Sequence, residues 1–419
     1  MSRERSEIVF FVVVYILLFN WSYLSVIQPL YGYLGAPLKS LSHWDFLIVF
    51  ILSLLPSFFI PFLVFRPSRA LCWLLYTLVY VPSLIYLGYS HLPLKIIFLI
   101  LVGFLIINLS GVLPVFRIIK VRISRKHFWL IFWAVLLGFM FVVFVAEGSS
   151  MKLVNVFDFE SVYEQRSKGS GSRISGYLTN WLAGAFFPIL LAWGLAVRNK
   201  YFILSGILGQ VFIFMVAAGK ASIFSIGLLF GVYWIVRNGN FKKFGIKLLT
   251  SLNILLFVLT NIQISNYSEI KSFLYPVTTQ FLFRLLCNTG FNFSMYYDFF
   301  LTHPFTYYSH INIVGKFIEY PFDVPLGYAV TGSKTWNSNA SFWITDGFAA
   351  IGPIGIILIS IVCCFIFMLM DSVTYGLNRK FSIVLMSYFA IPIFNISLFT
   401  SILTGGIAVV FFIILFFKK

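Results

Sequence analysis

Between Phe128 and Ala146 the chain reads FWLIFWAVLLGFMFVVFVA, with Arg125 and Lys126 just before it and Glu147 directly after. An uncharged apolar run of roughly 17–22 residues matches the hydrocarbon thickness of a bilayer, because each helical residue adds about 1.5 Å. Further runs of this kind lie near residues 8–27, 46–65, 70–89, 96–116, 181–197, 201–218, 222–236, 248–264, 347–370, 381–397 and 402–417. The expected fold is therefore an all-α polytopic membrane protein of about 12 transmembrane helices. Composition agrees: 60% of residues are hydrophobic, 20% aromatic and 10% charged. A soluble domain carries about a quarter charged residues, so lipid must solvate much of this surface.

The net charge of +17 raises the question of a nucleic-acid partner, and its placement answers it. One side of the expected bundle gathers Arg3, Arg5, Arg66, Arg69, Arg117, Lys120, Arg122, Arg125, Lys126, Arg198, Lys200, Arg237, Lys242, Lys243, Lys247, Arg379, Lys380, Lys418 and Lys419. Those nineteen cations face three acids (Glu4, Glu7, Asp371), a net of +16; the other side holds eleven cations and ten acids, a net of +1. This is the positive-inside asymmetry, so the charge reports topology, with both termini cytoplasmic and no nucleic-acid partner. The first apolar run is long and lacks a small-residue cleavage site, so it is expected to act as a signal anchor. Cys72, Cys363 and Cys364 fall inside spans and Cys287 outside, which suits packing rather than a disulfide framework.

Two long connections, residues 147–180 and 265–346, share the outer side of a single domain covering 1–419. Within the second, residues 277–301 mix apolar and polar residues at helical spacing, with Arg284, Asn288 and Asn292 near one face. That pattern fits an amphipathic helix, either lying in the membrane interface or packed over the bundle. The spans carry no Asp, Glu, Lys, Arg or His clearly within them, which weakens an ion-coupled transporter reading.

Chemistry is therefore sought on the outer side. Arg173, Lys220 and Arg284 are cations close to span ends on the side where the inside bias disfavours them. They suit the diphosphate of a lipid-linked substrate, Arg as a planar fork and Lys as a point charge. The plainer alternative is that each snorkels to lipid phosphate and anchors its helix. Candidate general bases are Asp158, Glu160, Glu164, Asp298, His303, His310, Glu319, Asp323 and Asp346. Asp158 and Glu160 form an acid-x-acid pair without a third ligand, so no metal is expected. Asp346, with Thr345, would plainly cap the helix that follows. His303 before Pro304 would shape a turn, and His310 would hydrogen-bond beside Tyr307 and Tyr308. No nucleotide-binding or zinc-hydrolase motif occurs, so no cofactor is expected and any substrate must arrive activated.

The segment from Asn337 to Gly355, NSNASFWITDGFAAIGPIG, resembles the end of the large periplasmic loop in O-antigen polymerases of the Wzy type: Asn-rich, then Asp-x-Phe-Ala, then Gly-x-x-Gly. Tyr297 to Pro304, YDFFLTHP, is similar to an aromatic stretch of that loop, and Gly219-Lys220 to its Gly-Lys/Arg turn. Arg173, followed by ten residues and Gly184, fits the family's Arg-x10-Gly spacing, whereas Arg284 meets Met295 there. The resemblance implies an enzyme on the outer face of the bacterial inner membrane that joins undecaprenyl-diphosphate-linked oligosaccharides, without metal or nucleotide. It further implies that Arg173, Lys220 and Arg284 bind diphosphate, that Asp346, His303 or His310 serves the acceptor hydroxyl, and that Asn339 and Trp336 contact the acceptor glycan. A chain-length regulator is an implied partner. The rivals are an O-antigen ligase, whose His-centred loop motif His310 with Gly315 fits poorly, and a lipid-linked oligosaccharide flippase, which should have short loops and a charged cavity.

Overall fold

The computed structural model describes residues 3–417 other than 40, 122, 168–171, 266–273, 312–313, 334–335 and 339–341. Among them every regular element is helical. Eight helices are long and apolar enough to cross a membrane: Arg3–Tyr31, Pro67–Gly88, Arg125–Ser150, Arg173–Val197, Lys200–Ala217, Phe241–Ser265, Pro353–Thr374 and Leu398–Leu415. His43–Phe58, Leu94–Leu109 and Lys220–Val236 are shorter apolar helices. Burial ranks them. Pro67–Gly88 is enclosed on all sides, and Tyr76 and Tyr80 there donate to the carbonyls of Ser53 (2.8 Å) and Leu52 (2.9 Å). Arg125–Ser150 instead leaves Leu130, Phe141 and Val145 more than two-thirds exposed. Apolar surface of that extent has no aqueous solution, so the molecule is a membrane-embedded helical bundle.

The charge asymmetry has a structural counterpart at one end of the bundle. Arg66 donates to Leu113 O (2.7 Å), Arg69 to Gly111 O (2.8 Å) and Leu63 O (2.7 Å), and Lys120 to Tyr375 O (3.0 Å). Lys380 donates to Arg237 O (2.6 Å) and Arg5 to Ile60 O (2.9 Å). Each cation meets carbonyls that a finished helix or a turn leaves without an intrahelical donor. Asp371, an acid of this basic end, accepts from Ser68 N (2.9 Å) and Ser68 Oγ (2.7 Å) at the start of the central helix.

Three expected spans differ. The run expected over 347–370 is a hairpin: a short helix, Phe342–Ile351, reverses at Gly352 (φ +71°) into Pro353–Thr374. The two legs are antiparallel. Gly347 lies against Gly355, and a Cβ on Gly103 would meet both Trp343 and Ser360. A Cβ on Gly355 would stand 1.8 Å from Gly347 O, so only glycine allows this approach. Pro353 suits the first position of the second leg, where no intrahelical N–H is needed. The run expected over 381–397 is interrupted, as Arg379–Ser387 and then Ala390–Asn395. Within Leu398–Leu415 the helix breaks again at Thr404–Gly406, between Leu398–Leu403 and Ile407–Leu415. The stretch read as amphipathic is helical over 274–300, with a π-helical section Thr279–Cys287. Its Leu282, Phe283, Leu286, Phe291, Phe293, Tyr296 and Phe300 are buried.

Candidate functional site

Polar groups gather in two places at the end opposite the basic one. The first is built by helix Phe159–Ser167, which rests on the tip of Lys200–Ala217. Val154 and Val162 form a small apolar core with Phe214 and Ala218. Gln165 Nε2 donates to Met215 O (3.3 Å) and to Ser150 O, and Lys152 N donates to Met215 O (3.2 Å). This places Arg166 over the turn, where its Nε donates to Ala218 O (3.2 Å). The chain leaves the helix at Ala218 in a left-handed conformation (φ +46°) and starts the next at Lys220. Phe224, one turn on, meets Phe281 edge-on at 6.3 Å, which brings the π-helical section and Arg284 to the same corner. Lys220 accordingly feels the charges of Arg284, Arg166 and Asp158.

Lys220 and Arg284, two of the three cations grouped from sequence, are thus neighbours, and Arg166 joins them in place of Arg173. Sequence reasoning missed Arg166 because it sits far from any span end along the chain. Its one available signal was that it is a cation on the acid-balanced side. Arg173 is exposed at the start of Arg173–Val197 and makes no hydrogen bond or ion pair with any described residue. Its spacing partner Gly184 serves packing: a Cβ there would lie 2.3 Å from Gly405 O at the break in the last span. Trp181 Nε1 donates to Leu403 O (3.1 Å) at the same break.

The second place is centred on Asp346. It is the fifth residue of the short helix and does not cap it, contrary to the plain expectation. Asp346 Oδ2 instead accepts from Leu398 N (2.8 Å), the first residue of another helix, whose N-terminal dipole favours an anion there. Burial is nearly complete and pushes the carboxyl up to about 7, with the Leu398 hydrogen bond opposing that rise. The Asp346 carboxylate is close enough for its charge to act on the neutral hydroxyls of Tyr308 and Tyr296. Tyr296 donates to Ser338 O (2.7 Å), and Ser338 Oγ donates to Asn292 Oδ1 (2.9 Å).

No family model, curated protein or solved structure matches the chain. His303 is stacked on Phe299 at 4.0 Å, and its Nδ1 lies 2.9 Å from Phe299 O and 3.0 Å from Thr302 Oγ1, which finishes a helix and shapes a turn. His310 is exposed, its ring 6.1 Å from that of Tyr308. Trp336 stacks on Phe291 at 5.9 Å with its outer part open, an aromatic face available to a ligand. Asn339 lies outside the described residues. Among the described residues no cluster of His, Cys, Asp or Glu is arranged for a metal.

Taken together, one corner concentrates three cations and the other holds a buried carboxylate poised near neutral pH. Arg284 and Tyr296 stand on one continuous helical stretch, π-helical at Arg284 and α-helical at Tyr296, which links the two places. The first arrangement has the charge to suit a polyanion; the second can take up a proton.

Proposed function

We propose that this protein is a glycosyltransferase that joins lipid-diphosphate-linked oligosaccharides on the outer face of a bacterial inner membrane, as the resemblance to Wzy-type polymerases implies. The observation that carries the reading is the convergence of Lys220, Arg166 and Arg284, from three separate segments, at the bundle end that also holds Asp346. Such a cluster suits a diphosphate, which spreads charge over several oxygens and accepts from forked donors. The helical stretch that separates the two places sets them further apart than a single phosphoester spans, which suits a short oligosaccharide. An acceptor whose diphosphate rests on the basic corner would extend its distal sugar to Asp346.

There the carboxylate removes the proton of the acceptor hydroxyl as the oxygen forms the new glycosidic bond. The bond from the donor sugar to its own diphosphate breaks, and the diphosphate departs with the electron pair. The donor arrives activated, so the protein's task is positioning, proton removal and charge stabilisation. About a dozen crossings with both termini on the cytoplasmic side accommodate the whole arrangement.

The test is extension of a lipid-diphosphate repeat unit by the purified protein in vesicles, followed as a ladder of products without added nucleotide. Lys220→Ala, Arg166→Ala and Arg284→Ala are each expected to lower extension by about tenfold to a hundredfold, the scale of a lost charged hydrogen bond. Arg173→Ala should cost less than about threefold on the same scale, because it stands apart. Equal losses at all four positions would reduce these cations to lipid anchors. Transbilayer movement of the lipid without any ladder would instead favour a flippase.

A further inference from the structure

We propose that Tyr308 and Asp346 together hold a single hydroxyl oxygen, that of the acceptor sugar during transfer and that of a water molecule otherwise. The sugar half of this inference rests on the transfer reading; the water half does not.

Tyr308 is gripped by the same two elements that grip Asp346. Thr306 N and Oγ1 donate to Ala349 O (3.0 and 3.1 Å), and Tyr307 N donates to Ala350 O (2.9 Å), one turn beyond Asp346 on the short helix. The Tyr308 ring stands edge-on to Phe399 at 5.1 Å, and Phe399 follows Leu398, the donor to Asp346. The fit is enforced at a cost. Tyr307 (φ +49°) and Tyr308 (φ +58°) are consecutive left-handed residues, each disfavoured by about 1–2 kcal/mol outside glycine.

Despite this support, the polar atoms here are left open. Tyr308 Oη is out of solvent and has no hydrogen-bond partner among the described residues, and the same holds for Thr345 Oγ1 beside Asp346. Among the described residues Asp346 accepts only through Oδ2. Buried polar atoms without partners are rare and mark an unseen water or ligand. An oxygen lodged between Tyr308 and Asp346 must accept from the phenol and donate to the carboxylate. A hydroxyl or a water does both; a phosphate or carbonyl oxygen has no proton to give. The titratable groups that face Asp346 are Tyr308 and Tyr296, with His310 beyond the Tyr308 ring.

The deciding variant is Tyr308→Phe in the full-length protein in vesicles, which keeps the ring and removes only the hydroxyl. Infrared spectra across pH report the protonated Asp346 carboxyl, assigned by its disappearance in Asp346→Asn. With Tyr308→Phe the carboxyl band should shift and its titration midpoint should rise by about half a pH unit or more, as the bridging oxygen loses its donor. The acceptor KM should rise about tenfold, with a smaller change in kcat. An unchanged band together with an unchanged KM overturns the inference. A shifted band with unchanged KM overturns its sugar half. A shifted band in a protein that never extends glycan keeps the water site and rejects the transfer reading.

Discussion

Burial pushes the Asp346 carboxyl up to about 7, and among the described residues it has one backbone N–H as its only hydrogen-bond donor and no cation to hold its charge. Its folded value lies above its unfolded one, so the native state binds this proton more tightly. The stabilisation is fully present below the ordinary carboxyl range and is lost as pH rises from about 4 through about 7. The loss is on the order of a few kcal/mol. Asp346→Asn keeps an acceptor for Leu398 N without the charge. Its melting temperature at pH 8 should therefore equal or exceed that of the wild type, with the two curves converging near pH 5. Function should move the other way: wild-type glycan extension should climb with pH through about 7, and the variant should fall about a hundredfold or more at every pH. A variant less stable than wild type at pH 8 would mean that the ionised carboxylate braces the Leu398 helix, leaving little case for it as a base. The trade of stability for chemistry at one residue is what a proton-accepting site requires.

At the scale of elements, the short hairpin 342–374 depends on two glycines that touch through backbone. Gly355→Ala would drive a methyl into Gly347 O, and Gly184→Ala into Gly405 O, so both should sharply reduce the yield of folded protein. Gly219 is the contrast. It belongs to the Gly-Lys turn, yet a Cβ there meets nothing within 4 Å. Gly219→Ala should leave melting and extension within about twofold of wild type, measured side by side with the other two. These elements also show where sequence stops being legible. The basic connections were readable because span ends and charges alternate along one dimension. The reversal at Gly352 was not, since both legs are apolar and hydropathy runs through the turn without a signal. The interruptions at 388–389 and 404–406 were hidden in the same way. Arg166 was invisible for a different reason: its neighbours Ala218 and Lys220 are reached only when helix Phe159–Ser167 folds back on the tip of Lys200–Ala217.

For the whole molecule, the way the bundle faces decides which substrates its site can meet. Cations on the cytoplasmic side gain about 1 kcal/mol each from the anionic leaflet, and they resist translocation. With nearly all the excess charge at one end, the opposite orientation would forfeit that gain many times over. All four native cysteines, Cys72, Cys287, Cys363 and Cys364, are buried, so single introduced cysteines can be labelled against a low background. Leu153 and Phe317 are exposed at the end with the long connections, and Ile119 and Tyr375 at the basic end. In intact cells a membrane-impermeant maleimide should label Leu153→Cys and Phe317→Cys. It should reach Ile119→Cys and Tyr375→Cys only after the membrane is opened. The reverse pattern would put Lys220, Arg284 and Asp346 on the cytoplasmic side, away from any lipid-linked glycan already delivered to the outer face. Transfer there could not be the function, however well the residues suit it. Orientation therefore ranks ahead of every point variant, because the same charges that sort the chain in the membrane decide which substrates its carboxylate and its cations can meet.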